Sequence, residues 1–585
     1  MMLPTEQLGS ASDSPWLRTS ADKTPLRVGL LLDGPVLSRF SARIIADLQA
    51  ANFVDLALLV YRKPSAAPAP RKPKSKLGSI VHRLSDPKLR KHTLYQLYLR
   101  VDRRKKLHND PLENVDCSAL LAGIESLEVE PAGERFVHRF PPDAIKQIRD
   151  KQLDVLIRFG FNILKGEILT AARYGVWSYH HGDNEFYRGG PPHFWELYES
   201  SPLSGVILQV LTEDLDAGVV LCKSLFATEA TISVSANRFA PYWGSTELVI
   251  RKLNELHRFG WDHVLQNALP PAPYQGRRKV YRSPTNGDMA RWLAPVLLKK
   301  ALRNPFRGPS VQHWKIAMRM QITPLFDGAS DGSLRGFRWI EPARGHFWAD
   351  PFLLEKDGRR WLFFEDFIYA ENRGLIACAE IASDGNLVSP SPCLDSPQRH
   401  YSYPYVFHDG AELFMIPESR DRGSVDLYRC EEFPHQWSFQ STLLKGKLVD
   451  SSVWQHDGLW WMMTTRADPD SRSSCLFLYY SERLQGKWHF HPANPISTDV
   501  RNNRGAGRIV LAGGRFIRPS QSCTPVYGYS FTLNEITRLS ISEYSERPLR
   551  EFQPEMLAVQ AMHTYNWIPG IEVIDGAKMT SLSKV

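Results

Sequence analysis

A loose repeat beyond residue 337 constrains the fold of this 585-residue chain more than any other feature. Segments that pair two apolar strands recur at intervals of 54, 47, 56 and 57 residues, with starts at Ala349, Tyr403, Asp450, Ala506 and His563. In the first three repeats the two strands are joined by an Asp-Gly turn, at Asp357-Gly358, Asp409-Gly410 and Asp457-Gly458. Repeats of about 40 to 50 residues that each contain several strands are typical of a β-propeller. The pattern therefore predicts a five-bladed propeller.

The N-terminal half has a different pattern, in which buried strands alternate with helices. TPLRVGLLLDG (24–34), FSARIIADLQA and VDLALLVYR read as strand, helix and strand, and LDVLIRFGFNIL (153–164) continues the alternation. This order predicts an α/β domain with a largely parallel sheet. The loop after the first strand carries no GxGxxG motif, and Pro35 stands where a dinucleotide would approach the backbone, so a nicotinamide or flavin site is not expected.

The two patterns and the segments between them predict the domain organisation. A Pro-, Arg- and Lys-rich stretch separates the last α/β helix from the first repeat. We expect a disordered N-terminus, an α/β domain, a linker and an all-β propeller, at 1–24, 25–268, 269–336 and 337–585.

The positive charge of the chain is local. The formal net charge is +9, and residues 61–110 alone hold 15 Lys and Arg against 3 Asp. We interpret 61–110 as a solvated basic insertion, with contact to an anionic partner or membrane surface and binding to nucleic acid as the alternatives. Within it, Leu89 to Lys106 is compatible with a basic amphipathic helix whose apolar face is Leu94, Leu97, Tyr98 and Val101.

Cysteine content and hydropathy limit the other classes. The seven cysteines are scattered and never form a CxxC pair, so neither a disulfide framework nor a metal site is predicted. Mean hydropathy is −0.32, and the sequence has no uninterrupted apolar run of about 18 residues. The N-terminus lacks the apolar core of a secretory signal, which makes a cytoplasmic location the expectation.

A polar cluster in the α/β domain carries the first candidate site. HHGDNEFYRGGPP begins at His180, and LTEDLDAG places Asp214 and Asp216 in a turn after a later strand. A carboxylate that hydrogen-bonds to one imidazole nitrogen fixes the tautomer, so this pair suits general acid–base chemistry. The alternative is a loop held by a His–Asp hydrogen bond.

The segments RFGFNIL, GVWSYHHGD, RGGPP and LDAGVVL resemble the catalytic domain of the formyltransferase family, which includes methionyl-tRNA and sugar N-formyltransferases. The resemblance implies a Rossmann-like fold and 10-formyltetrahydrofolate as co-substrate. It places the catalytic His at His180 or His181 and the catalytic Asp at Asp216, and it assigns Phe159, Gly160, Phe161 and Asn162 to the pterin pocket. With His180 as the catalytic His, Ser178 stands where the family has an Asn that holds the formyl oxygen, and with His181 it is Tyr179 that stands there.

Counting back from Arg188-Gly189 without a gap favours His180 over His181, and the LDxG turn favours Asp216 over Asp214. A propeller in place of the small basic domain of transfer-RNA formyltransferases makes an amino sugar or glycan the expected acceptor, with no nucleic-acid partner. The resemblance thus predicts formyl transfer to the amine of an amino sugar in glycan biosynthesis. The alternative is a carbohydrate-binding or glycosidase-like propeller protein with a non-catalytic formyltransferase-like domain.

The repeats themselves carry a second resemblance. FWADPFLL, FFED, IPES, RPSQ and HTYN are similar to the five-bladed propellers of glycoside hydrolases and to the N-terminal domain of plant glucosamine inositolphosphorylceramide transferases. The resemblance implies that Asp350, Glu418 and Asp450 converge on a central channel, where paired carboxyls suit sugar chemistry. Glycan recognition, an interaction scaffold and an active glycosidase all stay open at this point.

Overall fold

The computed structural model consists of two compact units, residues 1–303 and 304–585. It describes residues 14–63, 90–103, 107–133, 136–214, 216–301, 310–320, 323–419, 422–468 and 471–581. Most of the predicted basic insertion, at 64–89 and 104–106, lies outside these residues. Within the described ranges, no helix combines the length and the apolar character needed to cross a membrane.

The first unit is built on a seven-stranded mixed sheet in the order β11-β10-β9-β7-β1-β3-β5. Strands β9, β7, β1, β3 and β5 are parallel, and β10 and β11 add an antiparallel edge. Two short pairs, β2-β4 and β6-β8, lie outside it. The strands are β1 Leu26–Leu32, β2 Val36–Ser38, β3 Val54–Arg62, β4 Asn114–Asp116, β5 Ser126–Val129, β6 Val137–His138, β7 Val155–Arg158, β8 Ile163–Leu164, β9 Val176–His180, β10 Leu203–Val210 and β11 Val219–Ala227.

Helices pack on this sheet through apolar stripes. Ser38 caps the first helix by accepting a hydrogen bond from the Ser41 amide, and Ile44, Ile45 and Leu48 of that helix are fully buried. The helices are α1 Arg39–Ala50, α2 Thr93–Asp102, α3 Pro142–Asp150, α4 Trp195–Tyr198, α5 Val234–Asn237, α6 Phe239–Gly244, α7 Leu248–Phe259, α8 Trp261–Gln266 and α9 Asn286–Ala301. Because parallel strands place their carboxyl ends at one edge, Asp33, Arg158 and His180 follow or end neighbouring strands on that edge.

The helix α2 confirms a helix within Leu89 to Lys106, but it packs through a face that differs from the predicted one. Leu94, Leu97 and Val101 are exposed, whereas Tyr95 is buried. Tyr98 donates a hydrogen bond to the Ile232 carbonyl. Aromatic packing among Tyr95, Tyr98 and neighbouring rings outweighs burial of the smaller aliphatic stripe, because aromatic side chains remove more surface from water.

The second unit is a five-bladed β-propeller, as the repeat predicts. Its blades are β14-β15-β16-β17, β18-β19-β20-β21, β22-β23-β24-β25, β26-β28-β29-β30 with β27 paired to β28, and β13-β12-β32-β31. The strands are β12 Ser310–Arg319, β13 Arg338–Ile340, β14 His346–Lys356, β15 Arg359–Ile368, β16 Arg373–Ile381, β17 Leu387–Leu394, β18 Ser402–Asp409, β19 Glu412–Glu418, β20 Ser424–Glu432, β21 Gln436–Lys445, β22 Leu448–His456, β23 Leu459–Asp468, β24 Ser471–Ser481, β25 His489–Phe490, β26 Arg504–Gly505, β27 Val510–Ala512, β28 Arg515–Ser522, β29 Ser530–Leu539, β30 Tyr544–Phe552, β31 Tyr565–Ile568 and β32 Ile571–Ser581.

The fifth blade joins both ends of the unit and closes the ring. Strand β12 pairs with β32 from Ser310↔Ser581 to Arg319↔Glu572. The structure thus differs from the predicted linker 269–336, which contains α9 and β12. The difference has a physical cause. The fifth blade combines strands from both ends of the unit, so its strand β12 must precede the first recognisable repeat.

Candidate active site

The inner strands of the first three blades carry the same backbone irregularity. The ladder register shifts between Ala349 and Phe352, between Ser402 and Tyr405, and between Val449 and Ser452. At each shift one non-glycine residue has positive φ: Asp350 (+50°), Tyr403 (+45°) and Asp450 (+51°). Bulges redirect side chains, and strained non-glycine residues cluster at functional sites. The repetition in three blades marks this level of the propeller as a site.

Four carboxyl groups meet at this level, and we call them the carboxylate centre: Asp350 on β14, Glu365 on β15, Glu418 at the end of β19 and Asp450 on β22. Asp350, Glu365 and Asp450 are buried, and Glu418 is partly exposed. The Asp450 amide donates to Glu418 Oε2 at 3.3 Å, and the Tyr403 amide donates to Asp350 Oδ2 at 3.2 Å. The predicted convergence of Asp350, Glu418 and Asp450 is therefore present in the structure.

Burial and mutual repulsion favour protonated forms in the carboxylate centre. Burial raises the pKa of Asp350 to about 6. The charge of His563 opposes this rise, and the charges of Asp575 and Asp450 add to it. Burial, the nearby Asp450 charge and further carboxylates raise the pKa of Glu418 well above its usual range, although Arg504 opposes this. Neighbouring carboxyl groups with different pKa values can serve as the general acid and the general base of one reaction.

Two cationic groups balance part of this negative charge. Arg504 Nε and Nη2 each lie 2.6 Å from Asp450 Oδ2, and the guanidinium stands over the Tyr527 ring. His563 stacks on Trp314, with ring centroids 4.0 Å apart. Burial alone would lower the pKa of His563, but the charges of Asp575 and Asp350 raise it above 6.5.

His563 also belongs to a group of three side chains whose ligand atoms lie close enough together to bind a metal ion. One ligand atom each from Asp350, His563 and Asp575 lies within 4.8 Å of the others, which makes them the described residues that could hold a metal. His563 Nδ1 is 2.7 Å from Asp575 Oδ2, however, and Asp575 also accepts from the amides of His563 and Thr564 at 3.0 and 2.9 Å. The arrangement present is a buried ion pair that orients the imidazole toward Asp350, 3.9 Å from Nε2.

Three side chains at or beside the carboxylate centre are partly exposed to solvent. Glu418 is partly exposed, Tyr527 is 38% exposed, and the His400 side chain, 3.4 Å from Glu365 Oε1, is 37% exposed. Four tryptophans on strands of the first and third blades are buried, namely Trp348, Trp454, Trp460 and Trp461. They pack within the blades.

Glu365 gives the centre a measurable pH dependence. Burial and then the charges of Asp350 and Glu418 raise its pKa well above 4.5 in the folded protein, so the folded state binds a proton that the unfolded state releases. This stabilisation is complete below the unfolded pKa and is lost as pH rises toward the folded pKa. Glu365→Gln is therefore expected to gain stability relative to wild type by roughly 1 kcal/mol per pH unit above about pH 5, in denaturant titrations at pH 5, 6 and 7. A stability difference that stays constant between pH 5 and 7 would show that Glu365 is ionised in the folded protein.

The polar cluster of the first unit is also assembled. Asp216 Oδ1 lies 3.4 Å from Nδ1 of His180, and Asp216 Oδ2 accepts from the Gly189 amide at 2.8 Å. His180 Nε2 lies 2.7 Å from the Tyr187 carbonyl oxygen. His181 instead stacks on Tyr242, with ring centroids 3.8 Å apart, and burial lowers its pKa well below 6.5. The structure thus brings His180 to Asp216, while their acid–base role stays a prediction.

The remaining residues assigned to this cluster are occupied by contacts within the protein. Ser178 Oγ accepts from Arg158 Nε at 2.9 Å and donates to the Tyr179 carbonyl at 3.1 Å. Phe161 is buried against Phe140, and its amide donates to Asp33. A Cβ at Gly160 would lie 2.3 Å from the Asp33 nitrogen, so the loop 159–162 packs directly on the end of β1. Asn162 is exposed.

Fold and site together define a five-bladed propeller with an acidic centre, joined to a mixed α/β unit. Residues 341–563 match the family model described as glucosamine inositolphosphorylceramide transferase 1, N-terminal. The glucosamine inositolphosphorylceramide transferase 1 of Oryza sativa subsp. japonica is 34% identical over 258 residues, which cover 40% of this chain and 34% of the relative. Its Arabidopsis thaliana namesake is 33% identical over 205 residues, 34% of this chain and 27% of the relative. The chain spans about a third of the length of these curated relatives.

Solved structures match each unit at low identity. An exo-β-1,3-galactanase from Clostridium thermocellum has 12% identity and a TM-score of 0.29, covering 36% of this chain and 53% of its own. Glycinamide ribonucleotide transformylase 1 from Symbiobacterium toebii has 12% identity and a TM-score of 0.27, covering 41% and 93%. A sugar N-formyltransferase from Shewanella sp FDAARGOS_354 has 14% identity and a TM-score of 0.25, covering 44% and 75%.

These findings correct the function expected from the first resemblance. Formyl transfer from 10-formyltetrahydrofolate is wrong, because the relatives in sequence are named glucosamine inositolphosphorylceramide transferases. The contacts of the first unit agree with the correction. The hydroxyl of Ser178 is engaged by Arg158, and Phe161 is buried against Phe140.

Proposed function

We propose that the carboxylate centre binds a sugar of the glucosamine class and that the chain acts in transfer of this sugar to a hydroxyl of a glycolipid headgroup. The observation that carries the proposal is the convergence of four carboxyl groups, two of which, Asp350 and Asp450, stand at strained positions of inner strands. The match of 341–563 covers all four of these residues and supports the substrate class.

The charge of the centre favours an amino sugar. Five carboxyl groups, those of Asp350, Glu365, Glu418, Asp450 and Asp575, face two cationic partners, Arg504 and His563. Acidic groups outnumber cations by three to two even with Glu365 and Glu418 protonated. An ammonium group placed among them supplies a further positive charge in a weakly screened environment, where ion pairs are strongest. A neutral sugar of the same shape lacks this interaction.

Each group then has a role that follows from its protonation. Glu418, whose pKa burial raises well above its usual range, donates its proton to the leaving oxygen as the bond from the anomeric carbon to that oxygen breaks. Asp350 accepts the proton of the acceptor hydroxyl as the new bond from its oxygen to the anomeric carbon forms. Asp450, held by Arg504, stabilises positive charge that develops on the sugar ring in an oxocarbenium-like transition state.

A transfer assay with the full chain tests this proposal. Aryl glucosaminides serve as activated donors and myo-inositol as acceptor, and mass spectrometry detects the glucosaminyl-inositol product. We expect the rate to rise through about pH 6 as Asp350 ionises, since the base must be deprotonated. Release of free glucosamine without the transfer product would assign hydrolysis instead, and no release from either anomer would overturn the catalytic proposal.

A further inference from the structure

A cavity of about 410 Å³ lies on the fifth blade and is lined by residues distinct from the carboxylate centre. We call it the basic pocket. Its lining includes five basic side chains and an indole: His313, Lys315, Arg344, His346, Lys578 and Trp339.

The lining follows from the strand register of the closing blade. His313 lies directly opposite Lys578 in the β12–β32 ladder, and Lys315 lies opposite Gly576. Side chains two residues apart point to the same face of a strand, so these residues share one face. The short connection from β13 to β14 adds Arg344 to the rim.

Charge within the basic pocket is only partly balanced. Lys315 forms an ion pair with Glu341, whose side chain is 72% exposed. Arg344 and Lys578 are exposed, and within the described ranges the structure records no ion pair for either. Burial, with help from the Lys315 charge, lowers the pKa of His313, so this ring is a neutral hydrogen-bonding group at pH 7. Two cations are therefore left to face a ligand.

Trp339 gives the pocket an apolar wall. A Cβ at Gly576 would lie 2.6 Å from the edge of the indole, so glycine is what lets the ring lie against the β32 backbone. The indole is partly exposed and faces the cavity. Flat indole faces suit the C–H faces of sugar and cyclitol rings, and polar groups around an aromatic wall fix ligand orientation.

We propose that the basic pocket binds a six-membered sugar or cyclitol ring that carries an anionic phosphate or carboxylate group. The ring packs on Trp339, and the anion is held by Arg344 and Lys578 through charge-assisted hydrogen bonds. The volume is within the range of small-ligand sites and accommodates a single ring. This inference does not depend on the proposed function, because it involves different residues and no catalysis.

Calorimetric titration of the full chain tests the basic pocket with four probes: myo-inositol 1-phosphate, glucuronate, myo-inositol and inorganic phosphate. We expect at least one anionic ring to bind at least tenfold more tightly than myo-inositol and than inorganic phosphate. Tighter binding of myo-inositol 1-phosphate identifies phosphate as the anion, and tighter binding of glucuronate identifies carboxylate. The inference would be overturned if myo-inositol or inorganic phosphate bound as tightly as the anionic rings, or if no probe bound.

Variants locate the binding. The double variant Arg344→Gln/Lys578→Gln is expected to weaken binding of the anionic ring at least tenfold, because it removes both cations that hold the anion. Both side chains are exposed, so their loss leaves the core intact. Arg483→Gln/Lys487→Gln, which removes two exposed cations outside the pocket, serves as the matched charge control and should leave the affinity unchanged. Glu418→Gln should also leave it unchanged, which separates this site from the carboxylate centre. Unchanged affinity in the double variant would overturn the assignment.

Discussion

Glu418→Gln is expected to lower glucosaminyl transfer by a factor of about 10² to 10⁴, because glutamine keeps the shape of the protonated carboxyl but cannot release its proton. Glu418 is the partly exposed member of the carboxylate centre and accepts from the Asp450 amide at 3.3 Å. Steady-state rates of the variant and the wild type at pH 7 measure the effect.

Glu412→Gln is the matched control for this variant. Glu412 begins the same strand, is exposed, and forms a surface ion pair with Arg429. Its substitution is expected to leave the transfer rate within a factor of two of wild type. Donors with good leaving groups need less acid assistance, so their rates should fall less in Glu418→Gln. An equal loss for all donors would contradict a role as general acid.

Arg319→Met is expected to destabilise the propeller by about 3 to 5 kcal/mol, since removal of one partner leaves a buried charge uncompensated. Arg319 Nη2 is 2.6 Å from Glu572 Oε2, and the two side chains are 6% and 0% exposed. Glu572 also accepts from the Leu325 amide at 2.7 Å and the Tyr565 hydroxyl at 2.6 Å. The pair therefore anchors β12 to β32, where the ring closes. Denaturant unfolding measures the change.

Two further variants separate the charge from the packing. Adding Glu572→Gln to Arg319→Met removes the stranded charge while keeping an acceptor for Leu325 and Tyr565, and it should recover most of the lost stability. Arg538→Met breaks an exposed pair with Glu543 and is expected to cost less than about 1 kcal/mol. Equal costs for Arg319→Met and Arg538→Met would refute the anchoring role.

Much of the propeller is readable from the sequence because each blade repeats one pattern. Asp357, Asp457 and the glycines that follow them have positive φ, which is the conformation that such turns need. The fifth blade is harder to see, because it combines strands from the two ends of the unit and no single segment contains it. The helix α9 is also hard to predict, because it lies in a Pro- and Arg-rich stretch and Pro295 interrupts its apolar pattern.

The carboxylate centre is predicted in part. Asp350, Glu418 and Asp450 stand at repeat positions, so their convergence follows from the fold. The sequence does not reveal Glu365, Arg504 and Asp575 as members of the site, because an acid or an arginine in a short strand does not show which neighbours it meets. Their signal is physical: a charged residue within an otherwise apolar strand, as in FFED or VIDG, needs a buried partner.

The first unit shows the limit of short motifs. His180 and Asp216 do come together, yet a contact between two residues does not specify a reaction, and the same arrangement holds the turn at Gly189 in place. Function is better indicated by the propeller, where burial, strain and charge coincide.

Calorimetric titration of glucosamine into the full chain at pH 7 measures whether the carboxylate centre binds an amino sugar. We expect saturable binding to the wild type, weakened at least tenfold for N-acetylglucosamine, which lacks the ammonium charge. We expect a similar loss for Asp350→Asn, because asparagine tolerates the positive φ at this position and removes only the charge. Equal binding of the two sugars, or full binding by Asp350→Asn, would contradict the assignment of the carboxylate centre as an amino-sugar site.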